Sequence, residues 1–180
     1  MITLIIGTPG SGKSRKAEDI IETVSGGAEK IYVATMIPFG EDGKKRIERH
    51  RNMRKGKNFQ TVECPVGIDN VASKISDIEN KYVLLECISN LVGNEQHSEL
   101  NKDLGYEELL NKIVSEVLFL GDKCRHLVVV SNMFPADDPE YDEDTKLYVR
   151  LTLDVNEKLK EKADKIYELT EGEWKYFERH

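Results

Sequence analysis

The sequence predicts an α/β fold, a doubly wound and mostly parallel sheet that finishes in an antiparallel edge hairpin. Three observations lead there: short apolar runs recur along the 180 residues, stretches of helical periodicity separate them, and a glycine-rich turn follows the first run directly. The runs are Ile2 to Ile6, Lys30 to Ala34, Tyr82 to Leu85, His126 to Val130 and Lys165 to Leu169. The middle ones are continuous rather than alternating, as expected of parallel strands covered on both faces.

The first run ends in Gly7-Thr8-Pro9-Gly10-Ser11-Gly12-Lys13-Ser14, which fits G-x-x-x-x-G-K-[ST], the phosphate-binding P-loop. Its glycines let the backbone curl until successive N–H groups point at one anion. Lys13 brings a cation to the β- and γ-phosphates, and the Ser14 hydroxyl suits one position on Mg²⁺. Arg15 to Ile21 then reads as a helix whose first turn adds unpaired N–H groups and the positive end of its dipole. A strand, an anion cradle and a helix in that order make nucleotide binding the first functional expectation, with ATP or GTP as substrate. A parallel sheet also binds its ligand at the carboxyl ends of the strands, where this loop lies.

After the second run, Arg46 to Arg54 is read as a helix, with Glu41 and Asp42 near its start where negative charge suits the dipole. Arg46, His50 and Arg54 are four residues apart and share a face. Like charges at that spacing repel by a few tenths of a kcal/mol, so the row faces either open water or an anion. In the first case it is a solvated basic surface. In the second, the arginines hold triphosphate oxygens and disfavour imidazolium, leaving a neutral His50 whose free nitrogen is a nucleophile for phosphorus. The third run is followed by Glu86, the best candidate to share a metal with Ser14, although an acid at a strand end can also merely cap the turn.

Two later stretches are helical by periodicity: Leu109, Leu110, Ile113, Val114, Val117 and Leu118, then Leu147, Leu151, Val155, Leu159 and Ala163. Between them, Asp137 to Asp144 holds six acids and one proline and reads as a solvated loop rather than a metal site, for no histidine or ordered ligand spacing accompanies it. The turn Thr170-Glu171-Gly172-Glu173 leads into Trp174 to Phe177 and closes the hairpin.

The length allows one sizeable core, so residues 1–180 are read as a single nucleotide-binding domain. A net charge of −7 disfavours general nucleic-acid binding. The charge is uneven: from Lys44 to Lys57 eight Lys or Arg face one acid, Glu48, giving +7 there and leaving −14 elsewhere. No run of about eighteen apolar residues is present, and the start has neither a basic leader nor a cleavage site, so no membrane partner and a cytoplasmic location are expected. Cys64, Cys87 and Cys124 are odd in number and widely spaced, which suits buried hydrophobes rather than disulfides or zinc. His97, His126 and His180 are read as structural.

Several of these pieces together resemble the bifunctional adenosylcobinamide kinase / adenosylcobinamide-phosphate guanylyltransferase family of cobalamin assembly. They are GTPGSGKS, YVAT at Tyr32 to Thr35, RIERHRNMR as the family's R-I-x-x-H-x-x-x-R, an aromatic-x-T-x-E element at Phe59, Thr61 and Glu63, and LLECISNLVGN at Leu84 to Asn94. Departures lie in the second half: Ser131-Asn132-Met133-Phe134-Pro135 stands where the family has T-N-E-V-G, and Tyr148-Val149-Arg150 where it has F-R-D. The resemblance implies two reactions, phosphoryl transfer to the aminopropanol hydroxyl of adenosylcobinamide, and GMP transfer through a phosphoramidate on His50 with Mg²⁺ easing the departure of pyrophosphate. It also implies a parallel-sheet fold, a corrinoid substrate and a homo-oligomer of the trimeric kind. Together the two readings name His50 and Lys13 as catalytic, and Gly7 to Ser14, Thr35, Arg46, Arg54, Glu63 and Glu86 as nucleotide-binding, with Ser14 and Glu86 as metal ligands. The residues themselves leave two alternatives open, a P-loop kinase of another small molecule and a non-catalytic nucleotide switch.

Overall fold

The computed structural model describes residues 1–170 and 172–179, apart from the side chains of Arg46 and Met53. Glu171, in the expected hairpin turn, and the terminal His180 lie outside the described residues, as does the side chain of Arg46.

Seven strands form one sheet: β1 (Ile2–Gly7), β2 (Lys30–Ala34), β3 (Phe59–Glu63), β4 (Tyr82–Glu86), β5 (His126–Asn132), β6 (Lys165–Thr170) and β7 (Glu173–Glu178). Their order across the sheet is β3-β2-β4-β5-β1-β6-β7. All neighbours run parallel except β6 and β7, which form the antiparallel hairpin that the sequence predicts. The helices are α1 (Lys13–Ser25), α2 (Gly40–Arg54), α3 (Val71–Lys74), α4 (Ile88–Gln96), α5 (Tyr106–Lys123) and α6 (Glu143–Lys160).

Alternate residues of the central strands feed two cores. Leu4, Ile6, Val33, Leu85, Leu127 and Val129 pack with α4, α5 and α6 on one face. Ile5, Tyr32, Leu84 and Val128 pack with Ala17 and Ile21 of α1 on the other. This is why the runs read as continuously apolar: neither face of the inner strands meets water. None of the described side chains of α2 belongs to either core, and among its described residues only Gly43 and Arg54 are buried. The topology carries α2 to the carboxyl ends of the strands instead, where Gly7, Ala34, Glu86 and Asn132 also lie.

The sequence reading missed β3, because Phe59-Gln60-Thr61-Val62-Glu63 is an edge strand with three exposed residues and carries no apolar run. It also missed α4, whose nine residues are too few to show a clear period. Two positions of the α6 stripe differ from expectation: Leu147 is exposed, and Ala163, though buried, lies past the helix end at Lys160. The acidic run is only partly loop. Asp142 caps α6, its Oδ1 accepting from the Thr145 N–H at 2.7 Å, and Glu143 and Asp144 occupy the first turn, where they suit the helix dipole. Among the described residues no three His, Cys, Asp or Glu side chains gather to hold a metal, and no helix is long and apolar enough to cross a membrane.

Cys64 and Cys124 are buried as free thiols, whereas Cys87 is half-buried at the strand ends. His97 is largely exposed beside Asp144 at 3.3 Å. His126 is buried, with its Nε2 at 2.8 Å from the Thr3 hydroxyl. Burial, helped by the N-terminal ammonium and Lys165, pushes the His126 imidazole from 6.5 down to about 4. The folded chain therefore binds fewer protons here than the unfolded one, so this contribution is whole above pH 6.5 and is lost as the pH falls toward about 4. Thermal melting across that window should show a shallower loss of stability in His126→Gln than in the parent chain.

Candidate functional site

The anion cradle is built from backbone. Gly10 and Gly12 take φ of +76° and +90°, a conformation that a side chain would strain, and no atom lies within 4 Å of where a Cβ would sit, so the constraint is the backbone rather than crowding. Gly7 is constrained by space: a Cβ there would meet Ser11 Oγ at 2.9 Å and the Leu169 Cβ at 3.1 Å. The loop closes through Ser11 N–H donating to the Thr8 carbonyl at 3.2 Å. The Lys13 ammonium is buried and donates to the same carbonyl at 2.7 Å, which keeps it over the loop on a neutral, replaceable partner. Burial holds its pKa below the usual lysine range, while Cys87 and Glu86 pull the other way.

Glu86, at the end of β4, joins the elements of the site. Its Oε1 accepts a hydrogen bond from the Ser14 hydroxyl. Its Oε2 accepts one from the Tyr32 hydroxyl at 3.1 Å and lies 3.6 Å from His50 Nδ1. Burial pushes the Glu86 carboxyl up, but the contacts with His50, Ser14 and Tyr32 outweigh it and leave the group below the usual carboxylate range. Glu86 is thus an ionised hub between the loop and the histidine, not a turn cap. The peptide bond that follows it, to Cys87, is cis.

His50 therefore stands at the P-loop, with its ring half-buried. Among the described residues, the charged group set against it is the Glu86 carboxylate, a partner that the expectation of an imidazole among arginines did not include. Arg54, in the same cavity, lies over the strand beneath: its guanidinium carbon is 3.3 Å from the centroid of the Tyr32 ring, in a buried cation–π stack, with Nη1 lacking a hydrogen-bond partner among the described residues. Arg51 is held by Glu63 at 3.5 Å. A cavity of about 860 Å³ contains Pro9, Gly10, Gly12, Lys13, Ser14, His50, Arg54, Glu63 and Glu86 in its walls. That volume suits a nucleotide.

Thr35 is the predicted site residue that the structure directs elsewhere. It is fully buried, its hydroxyl donates to the Cys87 carbonyl at 2.8 Å and accepts from the Cys87 N–H at 2.7 Å, and its own carbonyl accepts from Asn94 at 2.7 Å. With its polar atoms so occupied, Thr35 braces the ends of β2 and β4. Thr8 contributes its carbonyl rather than its side chain. Conversely, Tyr32 was read only as part of a strand, although it binds Glu86 and carries Arg54. A hydroxyl-bearing aromatic in an otherwise aliphatic strand, two residues before its end, was the available signal. Asn132, which donates to Ser89 Oγ at 2.6 Å, and Asn90 also line the cavity.

The donor set suits Mg²⁺ in the way that nucleotide enzymes hold it. Ser14 and Glu86 offer two hard oxygens in contact, and such sites leave the remaining positions to phosphate and water.

No curated protein matches the chain. Among solved structures it resembles one described as "ATPase Domain of G40P", with a TM-score of 0.57 at 11% identity, over 94% of this chain and 69% of that one. At that identity the likeness speaks for the fold, a P-loop α/β sheet. The model of one protein family, described as "Cobinamide kinase / cobinamide phosphate guanyltransferase", matches residues 3–174. With its loop, its histidine and its acid in one cavity, and with that match over nearly its whole length, the chain belongs to the cobinamide kinase / cobinamide phosphate guanyltransferase family, enzymes of cobalamin biosynthesis.

Proposed function

We propose that this one cavity carries both activities, with Lys13 and the loop amides holding the nucleotide phosphates in each and His50 as the covalent carrier of GMP. In the kinase reaction the aminopropanol hydroxyl of adenosylcobinamide attacks the γ-phosphorus of ATP or GTP. The new O–P bond forms as the bond to the β-phosphate oxygen breaks, the hydroxyl proton passes to water, and the nucleoside diphosphate leaves. In the guanylyl reaction the lone pair of His50 Nε2 attacks the α-phosphorus of GTP, and the electron pair of the broken P–O bond departs with pyrophosphate. The phosphate of adenosylcobinamide phosphate then takes the GMP, and the pair returns to the ring nitrogen. Splitting the transfer in two in this way is what a nucleophilic side chain contributes.

The carrying observation is that one carboxylate reaches both machines: Glu86 Oε1 takes the Ser14 hydroxyl while Oε2 lies 3.6 Å from His50 Nδ1. In this reading Nδ1, unpartnered among the described residues and 3.6 Å from Glu86, closes to hydrogen-bond distance when the nucleotide binds, which fixes the ring's orientation and leaves Nε2 as the nucleophile, as in acid–histidine pairs. Mg²⁺ on Ser14 and Glu86 would supply neutralisation of the leaving phosphates. Arg54, Arg46 and Glu63 complete the nucleotide site in this reading, and the protein acts in the cytoplasm as a homo-oligomer.

Incubating the protein with GTP and Mg²⁺ and weighing it intact tests the covalent step. The expected result is a mass gain of one GMP that survives alkali and disappears in acid, as a phosphoramidate does. An unmodified mass in protein that binds GTP would reject the step.

A further inference from the structure

An in-line substitution at phosphorus brings the nucleophile in on one side and expels the leaving group on the other. When the α-phosphorus rests on His50, any group that displaces the ring must come from the side opposite the N–P bond. That is the side from which pyrophosphate has just departed. Pyrophosphate, as the β- and γ-phosphates of GTP, lies in the P-loop, so the direction of approach leads back to that loop.

The chemistry of the second acceptor fits the same place. Its attacking group is a phosphomonoester, an anion of the kind that backbone N–H groups and a lysine are arranged to receive. Of the other described cations that line the cavity, Arg51 pairs with Glu63 at 3.5 Å and Lys44 with Glu41 at 2.9 Å, Arg15 and Arg49 are exposed, and Arg54 is stacked over Tyr32 with its Nη1 unpartnered among the described residues. Lys13, by contrast, is buried at the cavity and held only by the neutral Thr8 carbonyl, which an incoming anion can replace without breaking an ion pair.

We propose that the P-loop is also the seat of the acceptor's phosphate in the second half of guanylyl transfer, in the place that pyrophosphate has vacated. The inference rests on the reading of His50 as the GMP carrier. In the step, an oxygen of the acceptor phosphate bonds to the α-phosphorus, the N–P bond breaks, and its electron pair returns to His50 Nε2. One anion seat then serves three phosphate groups in turn: the phosphoryl donor of the kinase, the pyrophosphate of GTP, and the phosphomonoester that the kinase made. The two halves of the enzyme cannot run at the same moment in one cavity, and a pyrophosphate mimic must compete with the corrinoid phosphate although the two molecules share nothing else.

The test uses protein loaded with radiolabelled GMP and freed of GTP and pyrophosphate. Added pyrophosphate should release the label as GTP, and methylenediphosphonate is titrated until that release slows about tenfold by occupying the loop. At that concentration, transfer to subsaturating adenosylcobinamide phosphate should slow by a similar factor, and raising the acceptor concentration should restore it. Unchanged transfer would place the acceptor phosphate elsewhere and overturn the proposal. Protein that takes up no label at all would instead strike at the histidine reading on which the proposal rests, so the two failures are distinct.

Discussion

His50→Gln should leave the protein folded and able to bind GTP but unable to acquire GMP, with guanylyl transfer down by at least about 10³-fold, the scale seen when a nucleophile is removed. Glutamine keeps a polar side chain of similar reach beside Glu86, so the Ser14 and Tyr32 contacts to that carboxylate persist. The kinase half uses the loop and needs no nitrogen nucleophile, so phosphorylation of adenosylcobinamide should stay within about tenfold of the parent. The measurements are the mass of the protein after GTP treatment and the rate of ATP-dependent corrinoid phosphorylation. A variant that still gains an acid-labile GMP would place the carrier on another residue. A variant that loses both activities while keeping its melting temperature would make His50 part of the phosphate machinery.

Lys13→Ala should impair both halves, because both pass a phosphate through the same cradle. Removing one preorganised donor from developing charge lowers a rate by about 10²–10³-fold. The side chain is buried yet bonded only to a loop carbonyl, so its loss creates no orphaned charge and the fold should persist. Initial rates of corrinoid phosphorylation and of GMP loading, with circular dichroism as the control, check this. Loss of the kinase alone would mean that GTP reaches His50 without the loop.

Much of this site was legible because its parts are local. The cradle is eight consecutive residues with a required backbone conformation, and the apolar runs around it are strands whichever way the chain is read. Glu86 could be named because an acid directly after a buried strand stands at the strand ends beside the loop, where it now meets Ser14 and His50. What the sequence could not reveal is the charge each side chain meets across the fold. Arg54 and His50 are four residues apart on one helix face, and β2 links them through a third party: Tyr32 takes the guanidinium on its ring and donates its hydroxyl to the carboxylate that His50 also approaches. Thr35 was misjudged for the same reason, its hydroxyl being claimed by the backbone of a residue 52 positions away. β3 was missed because an edge strand need not be apolar.

Among the described side chains, those of the helix that carries His50 join neither core, while Glu86 and Tyr32 are set in strands that hold the sheet together and the loop follows another. The nucleophile and the core thus draw on different letters of this sequence. Replacements in that helix, His50 included, are therefore expected to change the chemistry while leaving the described cores intact. Descendants of such a chain are free to change trade while keeping their architecture.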